Sequence, residues 1–244
     1  MNSEVFRPRK ARPGRRPRRR TTSPPSARRC IARLRAGGMA ILGDGIGVSP
    51  RYDLICLADR LTVEHTAFLV RHTSGLLQVA LRDEALGRLQ IPPVAPSVNR
   101  MQSQQCVGVD AAVGIGTGIS AIDRTRTINT LGRPDAVAGD FTRPGHVLPV
   151  RVAGHPPRRD VAGAALQLAE CSGSNAVVFA TVVGSEPDST GLLQPTEAVE
   201  FAGHHDIPII SYTDARLATH LDHVLDLEQP NPGHTGQISL DGAS

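Results

Sequence analysis

The run Ala176–Val183 places the strongest limit on the fold, because nearly all of its residues are apolar or β-branched. An apolar run of this kind, bounded by Asn and Gly, is typical of a buried strand. Helical and strand-like patterns alternate around it, including an amphipathic helix over Val161–Cys171 and strands over Val107–Ala112 and His146–Val152. This alternation predicts a layered α/β domain.

The length and charge of the chain predict one folded body with two tails. Its 244 residues fit a single domain. We expect residues 1–25 to be a disordered Arg/Pro-rich tail, residues 26–226 to form the domain, and residues 227–244 to be a flexible tail. Residues 1–35 carry 13 of the 27 basic residues and one acid, whereas the rest of the chain carries 14 basic against 22 acidic residues. Nucleic-acid binding is therefore expected only through the N-terminal tail.

Neither the cysteines nor the apolar residues point to secretion or to a membrane. No run of about 18 apolar residues is present, and the Arg-rich start lacks the apolar core of a secretory signal. We therefore expect a cytoplasmic protein without a membrane span, whose cysteines are free thiols without metal-type spacing. The cysteines are Cys30, Cys56, Cys106 and Cys171.

The stretch Thr117–Ile128 predicts a tight glycine turn that opens a helix. Ser120 stands at the N-cap position, and Asp123 is expected to reach back to it in a capping box. The glycines allow the backbone to approach a ligand closely. Free N–H groups at the helix start, with Arg124 and Arg126 beside them, favour an anion. The local residues leave two interpretations open: a phosphate-binding turn, or a well-capped helix with solvated arginines.

Three segments, in their order and spacing, resemble the 3,4-dihydroxy-2-butanone 4-phosphate synthase family of riboflavin biosynthesis. They are the R-H-T-S-G segment Arg71–Gly75, the glycine turn with its helix over Thr117–Ile128, and the segment Arg143–Arg151, which opens with R-P-G-H. The most specific of the three is the glycine turn with its helix. The resemblance covers almost the whole predicted domain, with several substitutions that mark a divergent member.

The resemblance implies a single three-layer α/β (α+β) domain with a mixed sheet flanked by helices, working as a homodimer with its sites at the subunit interface. It also implies conversion of D-ribulose 5-phosphate into formate and 3,4-dihydroxy-2-butanone 4-phosphate with magnesium. This lyase reaction proceeds by enolisation, skeletal rearrangement and loss of C4. Carboxylates and a histidine move the protons, and Mg²⁺ holds the oxygens of the sugar because it prefers oxygen ligands.

Carried over position by position, the resemblance assigns two groups of site residues. The catalytic candidates are His146 of the R-P-G-H segment and two acids at and beyond the end of the first strand, Asp44 and Asp53. The candidates for binding the sugar phosphate are Arg158, Thr117, Ser120, Arg71 and Ser74.

The metal-binding and acid–base positions of the family are largely substituted, so no metal ligand is assigned. The metal-binding His of the family falls on Val161, the Thr and Glu after it fall on Ala162 and Gly163, and the catalytic Glu falls on Ala180. Val, Ala and Gly side chains cannot ligate Mg²⁺ or transfer protons. Mg²⁺ is thus implied by the family, although its ligands are not retained.

Two hypotheses for the function follow. In the first, the chain is a lyase that performs the family reaction, or an altered reaction on a related sugar phosphate. In the second, it is a catalytically inactive paralogue that serves as a dimer partner or as a sugar-phosphate-binding protein. The expected partners are accordingly a sugar phosphate and either a second copy of the chain or an active relative.

Overall fold

A computed structural model describes residues 24–44, 50–96, 102–154, 160–184 and 191–218 of the chain. The helices are α1 (Pro25–Arg35), α2 (Val63–His72), α3 (Asp83–Arg88), α4 (Ala121–Gly132), α5 (Val161–Cys171) and α6 (Pro195–His204). The strands are β1 (Ala40–Asp44), β2 (Arg51–Leu57), β3 (Gln78–Arg82), β4 (Gln104–Gln105), β5 (Val109–Ala111), β6 (Phe141–Val152), β7 (Ala176–Thr181) and β8 (Ile209–Ile210). Residues 212–218 are also helical.

Strand β7 lies inside the sheet with both faces covered, which explains its continuous apolar sequence. Val178 and Ala180 belong to the hydrophobic cluster that packs against α2, α3, α4 and α6. Val177 and Phe179 point the other way, into the cluster beneath α1 and α5. Burying a side chain such as Phe179, which is nearly inaccessible, stabilises the fold by about 1.5–3 kcal/mol.

The sheet is mixed, and its strand order is β4-β6-β3-β7-β2-β1-β8, with β5 paired to β6 beside this path. The pairs β3/β6 and β1/β8 are parallel, whereas β7 runs antiparallel to both of its neighbours, β2 and β3. Helices cover both faces, so the predicted single three-layer α/β domain is confirmed. Because β7 is antiparallel to β2 and β3, its C-terminal end lies beside the starts of both strands.

The predicted tails fall almost entirely outside the described residues. Of residues 1–25, only Pro24 and Pro25 are described, and Pro25 is already the first residue of α1. Residues 227–244 are not among those described. Within the described ranges, none of the helices has the length and apolar character needed to cross a membrane. The cysteines are free thiols, as predicted, and all but Cys171 are buried.

Candidate active site

Strand β6 departs from its partner β5 at the R-P-G-H segment. Val109 and Asp110 are adjacent on β5, but their partners on β6 are Val147 and Thr142. Residues 143–146 are therefore left without partners on β5 by this shift in register. Strands commonly carry such irregularities next to active sites, because the extra residues redirect side chains.

The extra residues bring His146 onto Asp110. The backbone N–H of His146 donates to Oδ1 of Asp110 at 3.0 Å, and the ring Nδ1 lies 2.7 Å from Oδ2. The Asp110 side chain is 9% exposed, whereas that of His146 is 45% exposed. Because the carboxylate accepts the Nδ1 proton, the neutral ring keeps the lone pair of Nε2 for a proton from a ligand.

Gly118 lies directly over this pair. Its φ of +80° is a conformation that glycine adopts without a steric penalty. A Cβ atom at this position would lie 2.3 Å from Oδ2 of Asp110 and 2.7 Å from Nδ1 of His146. The backbone of the glycine turn therefore reaches the Asp110–His146 pair only because residue 118 has no side chain.

The carboxylate of Asp123 fills the glycine turn, which corrects the predicted capping box. Ser120 does cap α4, since its Oγ accepts the N–H of Asp123 at 3.1 Å. The Asp123 carboxylate, however, accepts the N–H groups of Gly116 at 3.2 Å and of Gly118 at 3.1 Å instead of reaching back to Ser120. The N–H groups of the two glycines that were expected to let the backbone approach a ligand are thus already bound to a carboxylate of the chain itself.

Arg124 links α4 to the R-H-T-S-G segment. Its Nη1 donates to the carbonyl oxygen of Gly75 at 3.3 Å, while its buried Nε has no hydrogen-bond partner within the described structure. Burial lowers the pKa of the Arg124 guanidinium, because desolvation disfavours its charged form. An anion beside Arg124 would offset that penalty.

Hydrogen bonds continue from this segment to Asp53. The N–H of Ser74 donates to the carbonyl oxygen of Thr181 at 2.9 Å, and Oγ1 of Thr181 donates to Oδ1 of Asp53 at 2.8 Å. Three of the predicted site segments are therefore joined: the start of β2, the R-H-T-S-G segment and helix α4. The glycine turn at the start of α4 in turn covers His146.

Asp53 is fully buried and held by its neighbour Arg51. Nε of Arg51 donates to Oδ2 at 2.9 Å, and Nη2 donates to Oδ1 at 2.9 Å. Burial raises the pKa of the Asp53 carboxyl, although the Arg51 guanidinium and the Thr181 hydroxyl oppose the shift. Within the described residues, this carboxylate accepts hydrogen bonds from the side chains of Arg51 and Thr181.

The other predicted site residues are less closely engaged or are not described. Arg71 is exposed in the last turn of α2, and the exposed Thr117 accepts the N–H of Ile119 on its Oγ1 at 3.4 Å. Asp44 is the last residue of β1, but its side chain is outside the described structure, as is the whole of Arg158.

The residues present do not fit a Mg²⁺ ion of the kind that the resemblance implies. Ala180 is buried on β7, and Val161 opens α5, so apolar side chains occupy the two positions where the resemblance implies a glutamate and a histidine. Among the described residues, no three His, Cys, Asp or Glu side chains converge in a way that could hold a metal. Asp53 is committed to Arg51 and Thr181.

Sequence reasoning missed three of the residues that build this site. The sequence analysis places Asp110 only within a strand, although an acid inside an apolar strand is a signal, because a buried carboxylate needs a partner. Arg51 and Thr181 carried no comparable signal, since their roles depend on the pairing of β2 with β7. Asp123 was noticed, but its partners were predicted wrongly.

Three comparisons with known proteins agree on the family. A family model described as 3,4-dihydroxy-2-butanone 4-phosphate synthase matches residues 28–216. The chain is 39% identical over 192 residues to the riboflavin biosynthesis protein RibBA of Mycolicibacterium gilvum, covering 78% of this chain and 45% of that protein. It is 37% identical to the 3,4-dihydroxy-2-butanone 4-phosphate synthase of Chromobacterium violaceum, covering 74% of this chain and 87% of that protein. The chain thus spans less than half the length of that RibBA relative.

Solved structures show the same fold. A crystal structure of 3,4-dihydroxy-2-butanone 4-phosphate synthase in complex with two magnesium ions superposes with a TM-score of 0.71 at 28% identity, covering 82% of this chain and 97% of that one. The enzyme of Candida albicans superposes with a TM-score of 0.70 at 29% identity, covering 81% and 96%. By the family match, the shared sequence and the shared fold, this chain belongs to the 3,4-dihydroxy-2-butanone 4-phosphate synthase family.

Proposed function

We propose that this chain is a sugar-phosphate enzyme of the riboflavin pathway that binds D-ribulose 5-phosphate and enolises it through His146. The contact between His146 and Asp110 carries the proposal, because it supplies an oriented base with an exposed ring beside a glycine turn. In the enolisation, Nε2 takes the proton from C3, the C–H electrons form the C2=C3 double bond, and the carbonyl oxygen at C2 becomes a hydroxyl by taking up a proton. General-base catalysis of this kind contributes about 10²–10⁴-fold.

The later steps of the family reaction are expected to be weak in this chain. Rearrangement and loss of C4 as formate demand further proton transfers, and the positions where the family has a glutamate and a metal-binding histidine hold Ala180 and Val161. The removal of groups that act as a unit costs orders of magnitude in rate. We therefore propose that enolisation exceeds formate release.

Deuterium exchange separates these two activities. Purified full-length chain is incubated with ribulose 5-phosphate in D₂O, and the C3 proton and formate are both followed by NMR. Exchange at C3 faster than in the absence of protein, with slow formate release, supports the proposal. Neither exchange nor formate at high protein concentration contradicts it. The Chromobacterium violaceum enzyme, run in parallel with Mg²⁺, provides the reference for the complete reaction.

A second candidate function is that of a subunit that pairs with another copy or with an active relative. Three large apolar side chains at the glycine turn, Val113, Ile119 and Ile122, are 75%, 56% and 62% exposed. Exposed apolar side chains gathered beside a site favour a protein contact there. This candidate predicts a dimer by light scattering and no C3 exchange by the chain alone. It also predicts that Ile122→Glu abolishes dimerisation, with Val199→Glu, on the exposed face of α6, as the control.

We propose the cytoplasm as the location, where the cysteines stay reduced.

A further inference from the structure

The carboxylate of Asp53 is bound by other side chains of the chain and is not open to a cation. Arg51 contacts both carboxylate oxygens, and Thr181 donates to one of them, so the carboxylate is surrounded by donors of the chain. The carboxylate is also completely buried. A divalent cation would have to displace the Arg51 guanidinium, and the cation and the guanidinium would repel each other.

By sequence, the segments that follow β1 and β6 contain no further carboxylate. Residues 45–49 read Gly-Ile-Gly-Val-Ser, and residues 155–159 read His-Pro-Pro-Arg-Arg. Mg²⁺ prefers carboxylate and carbonyl oxygens and binds imidazole poorly. Among the described residues, the acid that contacts His146 is Asp110, and its carboxylate is already bound to Nδ1.

Two arginine guanidinium groups lie near the R-H-T-S-G segment and can provide the positive charge that a metal ion would otherwise supply. Arg51 is partly exposed at the start of β2, next to the contact that joins Asp53 to the R-H-T-S-G segment. Arg124 reaches the same segment from α4, and its buried Nε has no hydrogen-bond partner in the described structure. A guanidinium binds phosphate and enolate oxygens through paired N–H donors without a coordination shell.

From these contacts we infer that the chain binds its sugar phosphate without a divalent cation, with Arg124 pairing with the anion. This inference rests on the proposed function, since it concerns the same site and the same ligand. It departs from the family pattern in one respect. Arginine side chains, instead of a metal ion, compensate the negative charge of the ligand.

Binding measurements in two buffers test the inference. The affinity of the full chain for ribulose 5-phosphate is measured by calorimetry in excess EDTA and in excess Mg²⁺. We expect dissociation constants that agree within about twofold, since no cation takes part. Binding that is lost in EDTA and restored by Mg²⁺ overturns the inference while leaving the proposed function intact.

Metal uptake by the ligand-free chain provides a test that does not depend on the sugar phosphate. Mn²⁺ stands in for Mg²⁺, and its free fraction is read by electron paramagnetic resonance. The expected result is a spectrum of free Mn²⁺ at millimolar protein. Stoichiometric binding that disappears in Asp53→Asn overturns the inference. If ribulose 5-phosphate binds in neither buffer, the proposed function fails, and the Mn²⁺ spectrum still decides the question of the metal.

The variant Arg124→Gln tests whether Arg124 pairs with the anion. Arg124→Gln is expected to weaken ribulose 5-phosphate binding about tenfold in both buffers, because a charge-assisted contact is lost. Arg133→Gln is the matched control, since Arg133 follows the other end of α4 and pairs with Asp135 in solvent. An unchanged affinity in Arg124→Gln, with the fold intact by circular dichroism, rules out Arg124 as the anion partner.

Discussion

Asp110 and His146 are 36 positions apart in the sequence, yet they are joined by two hydrogen bonds, one to the backbone N–H and one to the ring of the histidine. The backbone contact holds the main chain of His146 against Asp110, and the ring contact sets the orientation of the imidazole. Both contacts depend on the shift in register that leaves residues 143–146 unpaired with β5. The geometry of the Asp110–His146 pair therefore depends on the pairing of β5 with β6.

Asp110→Asn tests the orientation of the imidazole. The amide can still accept the backbone N–H of His146, but if its NH₂ group faces Nδ1, the ring must carry its proton on Nε2. We expect C3 exchange to fall about 10²-fold or more, since the wrong tautomer cannot act as a base. The affinity for ribulose 5-phosphate, measured by calorimetry, is expected to change by less than about threefold. A rate within twofold of the parent chain contradicts this role of Asp110.

Gly118→Ala tests the close approach of the glycine turn to that pair. The added Cβ would lie 2.3 Å from Oδ2 of Asp110, and the residue would have to keep a φ of +80°. We expect a loss of about 1–3 kcal/mol in the free energy of unfolding and a loss of exchange activity. The measurements are urea denaturation and deuterium exchange.

Gly116→Ala is the matched control for that variant. Gly116 lies two residues earlier in the same turn, and the nearest atom to a Cβ there is Oδ2 of Asp123 at 3.6 Å, an ordinary contact. The free energy of unfolding is expected to change by less than about 0.5 kcal/mol. Equal destabilisation by the two alanines would contradict the account of Gly118.

Local sequence signals were enough to predict the layers of the fold. The apolar run of β7 predicted a buried strand because both faces of that strand are covered, and Ser120 predicted the N-cap of α4 because its function is local. The bounds of strand β6 differ from the prediction. It begins at Phe141, five residues before the predicted start at His146, because Pro144 and Gly145 hide the strand pattern.

The contacts of the site could not be predicted in the same way, because they are set by pairing between distant segments. The carboxylate of Asp123 has two N–H donors in the turn, and their convergence depends on the positive φ of Gly118. In the sequence, nothing distinguishes the Arg51–Asp53 pair from an ion pair that is exposed to solvent. Only the position of β2 beside β7 buries Asp53 and gives it Thr181 as a partner.

Arg51→Gln tests the buried ion pair. The substitution leaves the Asp53 carboxylate with its hydroxyl partner alone in a fully buried place. We expect the free energy of unfolding to fall by about 2 kcal/mol at neutral pH, because a buried charge loses its partner. Adding Asp53→Asn removes that charge, so the double variant is expected to recover part of the loss. A double variant that is less stable than Arg51→Gln argues against this explanation.

Arg133→Gln is again a matched control, because Arg133 and Asp135 have the same spacing as Arg51 and Asp53. Both side chains of the control pair are exposed, at 55% and 67%. Exposed pairs of this kind contribute little to stability. Urea denaturation of the two glutamine variants therefore separates burial from spacing, and equal losses would show that burial of Asp53 is not the cause.

Stability is expected to fall on acidification because of a histidine cluster between α2 and α6. The rings of His72 and His205 lie 5.1 Å apart, and each packs against Phe68 and Phe201. Desolvation lowers the pKa of both histidines. The unfolded chain therefore binds more protons than the folded chain below the ordinary histidine pKa of about 6.5, and stability is lost as the pH falls through the folded pKa values.

Thermal unfolding between about pH 8 and pH 5 measures this loss. The melting temperature of the parent chain is expected to drop with pH, and the drop is expected to be smaller in the double variant His72→Gln, His205→Gln. The raised pKa of Asp53 acts in the opposite direction, since a folded state that binds the proton more tightly gains stability as the pH falls. That gain is fully present only below the ordinary aspartate pKa of about 3.9. An identical drop in the parent chain and the double variant would show that the cluster is not responsible.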